Sequence, residues 1–233
     1  MGKQNCCVEI VWRSFVLSEV AEVQITREQW LATLSQRQGR ALVDKFQKAR
    51  VAVCGLGGLG SHIALTLARS GVGHLSLIDF DRVDLSNIHR QAYRLTHIGS
   101  YKTTALKEMV MEVAPFCQVT THNTVLCAKN IETLLAEEDV ICEAFDDPKA
   151  KALLVQAVRE KMPEKMVIAA SGMAGWGSPN TIQSRRVSQN FYLCGDEKSG
   201  IESGQSLNSA RVQVCGAHQA TLILRCLAGF LEV

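Results

Sequence analysis

The chain has 233 residues, 25 Lys plus Arg against 23 Asp plus Glu, a formal net charge of +2, and is 47% hydrophobic and 21% charged. Length and composition suit one large folded domain, or one domain with an appendage, and exclude a disordered chain. The near balance of charge argues against a bulk electrostatic grip on nucleic acid or anionic membrane, and no run approaches the ~18 apolar residues of a membrane span.

The N-terminus has no clean apolar stretch ahead of a small-residue cleavage site, so a secretory signal is not expected. There are nine cysteines but no C-x-x-C pair, so a four-cysteine zinc site has no support and no zinc is expected. Cys54, Cys142 and Cys226 sit in apolar runs and read as reduced, buried thiols of a cytoplasmic protein.

In chain order, residues 8–11 suit a strand, and 26–34 a short helix opened by Thr26 as N-cap. A polar helix is expected over 36–48. Residues 50–54 form a short buried strand, followed by a glycine turn, a helix over 61–69 and a second strand over 75–79. Residues 81–96 have no period and read as loop. Leu106, Met109, Val110 and Val113 repeat at helical spacing within 101–113. A strand over 118–125 follows, then a short helix to 136 with Asn130 as N-cap. Next come a strand over 140–143 and a helix opened by Pro148 in its first turn. Residues 167–170 are a fifth strand. Such alternation predicts an α/β fold: a Rossmann-like, doubly wound, mostly parallel sheet. Beyond it, 171–180 is a glycine-bearing loop, 181–193 a short antiparallel extension, 196–208 a polar loop, and 217–231 a closing C-terminal helix.

Three features carry chemistry. Gly55, Gly57, Gly58 and Gly60 fall in a G-x-G-G-x-G turn between a strand and a helix. There glycine lets the backbone approach a phosphate and the helix N-terminus offers N–H donors. Asp79 ends the next strand, where a carboxylate would accept from ribose hydroxyls. The turn alone suits a dinucleotide or ATP equally. The aperiodic stretch after it holds Asp79, Asp81, Asn87, Arg90 and Gln91, with Lys102 opening the next helix. Arg90 and Lys102 suit phosphates, the first as a fork and the second as a point charge, and a plain dehydrogenase needs no such clamp. Asp146 and Asp147 follow the 140–143 strand. Asp147 suits a helix N-cap, and Asp146 suits Mg²⁺ held against phosphate oxygens.

Together, the GLGGLGS, LIDFD, SNIHRQ, Gly99–Lys102 and AFDD motifs resemble the ubiquitin-activating-enzyme-like superfamily, most closely its ThiF/MoeB/HesA group. The resemblance covers about residues 36–230, read as the ATP-binding adenylation domain, with 1–35 as an N-terminal appendage. The NFYLCGD sequence from Asn190 looks like the short ThiF branch of thiamine biosynthesis. The resemblance implies that Gly55–Gly60 packs against ATP and that Asp79 holds the ribose. It implies that Asn87, Arg90 and Gln91 line the triphosphate site with Lys102, and that Asp146 organises Mg²⁺. It further implies an arginine, Arg37 or Arg40, reaching a partner site in a homodimer. The reaction implied is adenylation of the C-terminal glycine carboxylate of a ubiquitin-like sulfur carrier protein ending in Gly-Gly, with pyrophosphate released. The relatives' C-x-x-C zinc motif is missing. Cys194 is the cysteine nearest the loop in which relatives carry a reactive thiol. Three other readings stand beside this one: activation of a tRNA-base carboxylate, which the charge balance does not favour; an NAD(P) oxidoreductase; and a non-catalytic scaffold.

Overall fold

The computed structural model describes residues 25–201 and 204–233. The expected strand at 8–11 lies outside them. Two helices come first, α1 (Arg27–Gln38) and α2 (Arg40–Lys48). Thr26 caps α1 in a reciprocal capping box with Gln29. The single helix expected over 36–48 is divided by Gly39, whose φ of 88° no helix accommodates. Helix α1 therefore runs across position 35, with Leu34 buried.

A seven-stranded sheet forms the centre, built from β1 (Arg50–Cys54), β2 (His74–Ile78), β3 (Gln118–His122), β4 (Val140–Glu143), β5 (Met166–Ala170), β6 (Gln183–Ser188) and β7 (Phe191–Gly195). Its order is β3-β2-β1-β4-β5-β7-β6, and only the β6–β7 pair is antiparallel. Crossing helices are α3 (Gly58–Arg69), α4 (Lys102–Val113), α5 (Ile131–Leu135) and α6 (Pro148–Lys161), and α7 (Ser209–Ala228) closes the chain.

Alternation along the strands decides which helix covers which face. Val51, Val53, Leu75 and Leu77 pack under α3, α4 and α7, with Ile63, Leu106 and Ile223. Ala52, Cys54, Ile78 and Ile141 face the other way, against Ile131, Leu135, Leu154 and Val158 of α5 and α6. The chain thus leaves β1 towards one face and β4 towards the other. Between those neighbouring strands the sheet opens a crevice at their carboxyl ends, the switch point where α/β sheets take ligands.

Several boundaries differ from the sequence reading for local reasons. Helix α3 begins at Gly58 because Ser61 N donates to the Gly57 carbonyl at 3.1 Å, making the glycine turn its first turn. Asn130 stands at the N-cap position of α5, as expected, but its side chain makes no capping bond. Its side chain accepts from Cys127 N and donates to the Val125 carbonyl, fixing the preceding turn instead. Helix α7 starts eight residues before position 217, capped by Asn208 onto Arg211 N, and stops at Gly229 in the left-handed region. Its Leu222 and Ile223 are buried and Leu224 and Leu227 pack against the same core, so the helix spends its apolar surface within the chain. Among the described residues no helix is long and apolar enough to cross a membrane.

Candidate functional site

A cleft of about 600 Å³ lies over the switch point. Eight of the ten residues singled out in sequence line it: Gly55, Gly57 and Gly58, Asp79, Arg90 and Gln91, Lys102, and Asp146. Asn87 and Gly60 stand behind the wall. Asn87 closes a short 3-10 turn by accepting from Asp84 N at 3.1 Å. A Cβ at Gly60 would collide with the Gly55 carbonyl oxygen, so this glycine lets α3 pack close to β1.

The glycine turn is held from below. Gly55 has φ of 90° and a Cβ there would meet Ala144 and Phe145. The Tyr93 hydroxyl donates to the Leu56 carbonyl at 2.8 Å. Leu56 N donates to Asp79 Oδ2 at 2.7 Å. Above Gly57 the space is open: the nearest atom to an added Cβ is Gln91 Nε2, 3.8 Å away. Gln91 is itself buried, and its Oε1 has no partner among the described residues. A buried acceptor without a donor, beside an open glycine cradle, fits a polar ligand seated on that turn.

Asp79 does more than face the cleft. Its Oδ1 accepts from Asp81 N at 2.8 Å while Oδ2 takes Leu56 N. Lys102 Nζ stands 2.7 Å from Asp81 Oδ2 and 3.9 Å from Asp79 Oδ2, with only 7% of its side chain exposed. The Lys102–Asp81 pair was not foreseen from sequence. Arg90 is half-buried and donates from Nη1 to the Ser86 carbonyl at 3.2 Å.

At the other end Asp147 is the N-cap of α6, accepting from Lys149 N and Ala150 N, as its position before Pro148 suggested. Asp146 is exposed into the cleft and makes no hydrogen bond or ion pair with the described residues. Among the described residues no group of three or more His, Cys, Asp or Glu could hold a metal by itself. Mg²⁺ needs less: it takes one or two carboxylates and completes its shell with phosphates and water. A lone Asp146, unbonded among the described residues and sharing the cleft with the open glycine turn, fits that ion.

Sequence reading missed two ion pairs at the rim. Lys151 Nζ reaches Glu143 Oε1 at 2.9 Å and Oε2 at 3.0 Å beneath the β4 end. Arg211 Nη2 meets Asp196 Oδ2 at 2.5 Å, and Arg211 Nη1 donates to the Gly177 and Ser178 carbonyls. The second pair joins α7, the loop after β5 and the turn after β7, next to residues 197–201, which form a wall of the cleft. Burial works against the charged form of Asp196. The amides of Ser199 and Lys198, the Ser199 hydroxyl and Arg211 outweigh it and hold the carboxyl at about 2.

Cys194 lies under this wall and not in it. It is fully buried, and burial pushes its thiol up to about 11. A buried thiol held in its neutral form is a poor nucleophile, so this arrangement lends no support to a sulfur-transfer role. Cys215 beside it is pushed up to about 12 for the same reason. Arg37 is exposed on α1 and its side chain bonds to none of the described residues, whereas Arg40 is paired with Asp44 at 2.9 Å. Neither lines the cleft.

Comparison with known proteins agrees with this architecture. The Escherichia coli tRNA N6-threonylcarbamoyladenosine dehydratase in complex with ATP superposes with a TM-score of 0.79 at 20% identity, over 89% of this chain and 98% of that one. Escherichia coli MccB with ATP gives a TM-score of 0.64 at 19% identity, over 82% of this chain and 59% of that one. These likenesses establish the fold. In sequence, the adenylyltransferase and sulfurtransferase MOCS3 of Culex quinquefasciatus is 36% identical over 114 residues, 48% of this chain and 26% of the relative. The tRNA threonylcarbamoyladenosine dehydratase of Haemophilus influenzae is 33% identical over 147 residues, 62% of this chain and 56% of the relative. The chain thus spans a quarter to just over half the length of these relatives. The family model of ThiF matches residues 31–233.

Proposed function

The chain belongs to the ThiF family, and from that premise we propose that it adenylates a carboxylate with ATP. One acceptor oxygen attacks the α-phosphorus, an acyl–AMP anhydride forms, and the bond to pyrophosphate breaks. A carboxylate is already ionised near neutral pH, so the step needs no general base. It needs two anions brought together and the charge on the leaving pyrophosphate offset, which is work for positioned cations and N–H groups.

The observation that carries this reading is the arrangement of groups around one crevice. An open glycine cradle with an unpaired Gln91 Oε1 faces, across the switch point, the unbonded carboxylate of Asp146. In this assignment Gly55, Gly57 and Gly58 seat the phosphates, Gly60 and Asn87 shape the wall, and Asp79 receives the ribose. Arg90, Gln91 and Lys102 lie along the triphosphate. Asp146 would hold Mg²⁺, which when bound offsets phosphate charge. Arg90, Lys102 and Asp146 are the residues assigned to catalysis.

The acceptor we assign is a ubiquitin-like sulfur carrier ending in Gly-Gly. Its support is the likeness to adenylyltransferase–sulfurtransferase relatives and a charge balance without a basic surplus. Thiamine synthesis rests only on the NFYLCGD sequence at Asn190. A homodimer completed by an arginine belongs to the same reading, and Arg37, whose side chain pairs with none of the described residues, suits that reach better than Arg40. A tRNA-base carboxylate is the second reading, favoured by the match over 98% of the dehydratase chain. Incubation with Mg·ATP, followed by mass spectrometry of a Gly-Gly carrier and of tRNA, separates them. An AMP adduct on the carrier supports the first reading, and turnover on tRNA alone replaces it with the second. Stabilisation by NAD and not by ATP would sink both.

A further inference from the structure

Strand β4 is apolar until its last residue, Glu143, which is 1% exposed. A carboxylate buried that deeply is costly unless its oxygens are bonded and its charge is paired. Here both conditions are met, and the donors are informative. Oε1 accepts from Phe145 N at 2.7 Å, Oε2 from Ala170 N at 3.4 Å, and both from Lys151 Nζ. Lys151 Nζ also donates to the Ala170 carbonyl at 3.0 Å. From the opposite face Gln219 Nε2 donates to the Glu143 carbonyl at 2.9 Å and to that of Ile168 at 3.3 Å.

These bonds occur where the sheet ladder stops. Ala144 N makes the last ladder bond, to the Cys54 carbonyl at 2.8 Å. Phe145 N then turns to the Glu143 side chain, and Asp146 emerges into the cleft directly after it. Burial raises the Glu143 carboxyl above its ordinary range, against which Lys151 and the two amides pull. Lys151 lines the cleft, yet its three protons are taken by Glu143 and Ala170. It is therefore placed to hold the carboxylate and not a ligand.

We propose that Glu143, paired with Lys151, is the positioning residue that sets the 144–147 turn and so aims Asp146 at the phosphate side of the cleft. This rests on the role given to Asp146 above. The test uses the full chain and two ligands measured by calorimetry, Mg·ATP and adenosine. In the double variant Glu143→Met/Lys151→Met, apolar side chains of similar size replace the ion pair, so folding should survive. Mg·ATP affinity should fall at least ~10-fold, as for loss of an outer-shell partner of a metal ligand, with adenosine affinity within ~2-fold of the parent. Lys151→Arg, which keeps the charge, should restore Mg·ATP binding relative to Lys151→Met.

Unchanged Mg·ATP binding in a folded double variant would overturn the proposal. So would equal weakening of both ligands, which would mark the pair as general scaffold. If the double variant does not fold, the Arg-against-Met contrast at Lys151 decides on the same criterion. If the parent binds no nucleotide, the functional reading falls, and hydrogen exchange at the Phe145 amide still decides this one. Faster exchange in Glu143→Met/Lys151→Met than at neighbouring sheet amides supports it, and unchanged exchange overturns it.

Discussion

At the β2 end of the cleft, Asp79 is 7% exposed, and its two oxygens accept from Leu56 N and Asp81 N. At the β4 end, Asp146 is exposed and unbonded among the described residues, while Glu143, three residues earlier, takes the backbone amides. Each end has a lysine, Lys102 with Asp81 and Lys151 with Glu143. In the proposed assignment, one end therefore asks a single carboxylate to brace the glycine turn and meet the ligand. The other divides the two tasks between two residues. If the proposed assignment holds, ligand-facing and structure-bearing roles should be separable by mutation at β4 and coupled at β2.

The largest effect should come from the uncoupled end. Asp146→Asn keeps the side chain's shape and breaks no bond, so melting temperature should stay unchanged while adenylation falls by ~10²–10³-fold, the scale of losing one preorganised electrostatic group. A drop in melting temperature would show that Asp146 is not free of structural work. Next, Lys102→Ala and Arg90→Ala should each slow turnover by about 10²-fold. Only Lys102→Ala should also lower stability, because it leaves Asp81 and the buried Asp79 without their cation. Equal melting of both variants would erase the distinction between a half-buried fork and a buried brace.

Asp79→Asn should couple a smaller loss of stability to loss of nucleotide. One oxygen becomes an NH₂ group facing a backbone N–H, at a cost of about 1–3 kcal/mol by denaturant unfolding. Stability at the parent value would contradict the bracing role. The smallest effect concerns the far wall. Asp196 has its folded pKa lowered to about 2, so its contribution to stability is complete above about pH 4 and fades as pH falls towards 2. Arg211→Met should flatten only part of that acid limb, because the Ser199 and Lys198 amides and the Ser199 hydroxyl still hold the carboxylate, and a curve of unchanged slope would mean that Arg211 does not contribute to it.

Much of this was readable in the chain. Strands β1 and β4 coincide with their expected bounds because short apolar runs ended by glycine or charge leave little choice. The glycine turn, Asp79 and the Asp147 cap were legible because backbone geometry dictates residue type at those points. The braces were not. Lys102–Asp81 and Arg211–Asp196 join positions 21 and 15 residues apart, and nothing local marks such partners. Glu143 did leave a signal: a carboxylate closing an apolar strand must find a cation. Lys151, eight residues further on in the first turn of α6, was available.

The central claim is that this cleft activates a carboxylate, and ATP–pyrophosphate exchange reads that step alone. Labelled pyrophosphate should enter ATP only when Mg²⁺ and a carboxylate acceptor, a Gly-Gly carrier or tRNA, are both present, and Asp146→Asn should abolish the exchange. Tight ATP binding with no acceptor-dependent exchange would contradict the account, as would exchange that persists at the parent rate in Asp146→Asn.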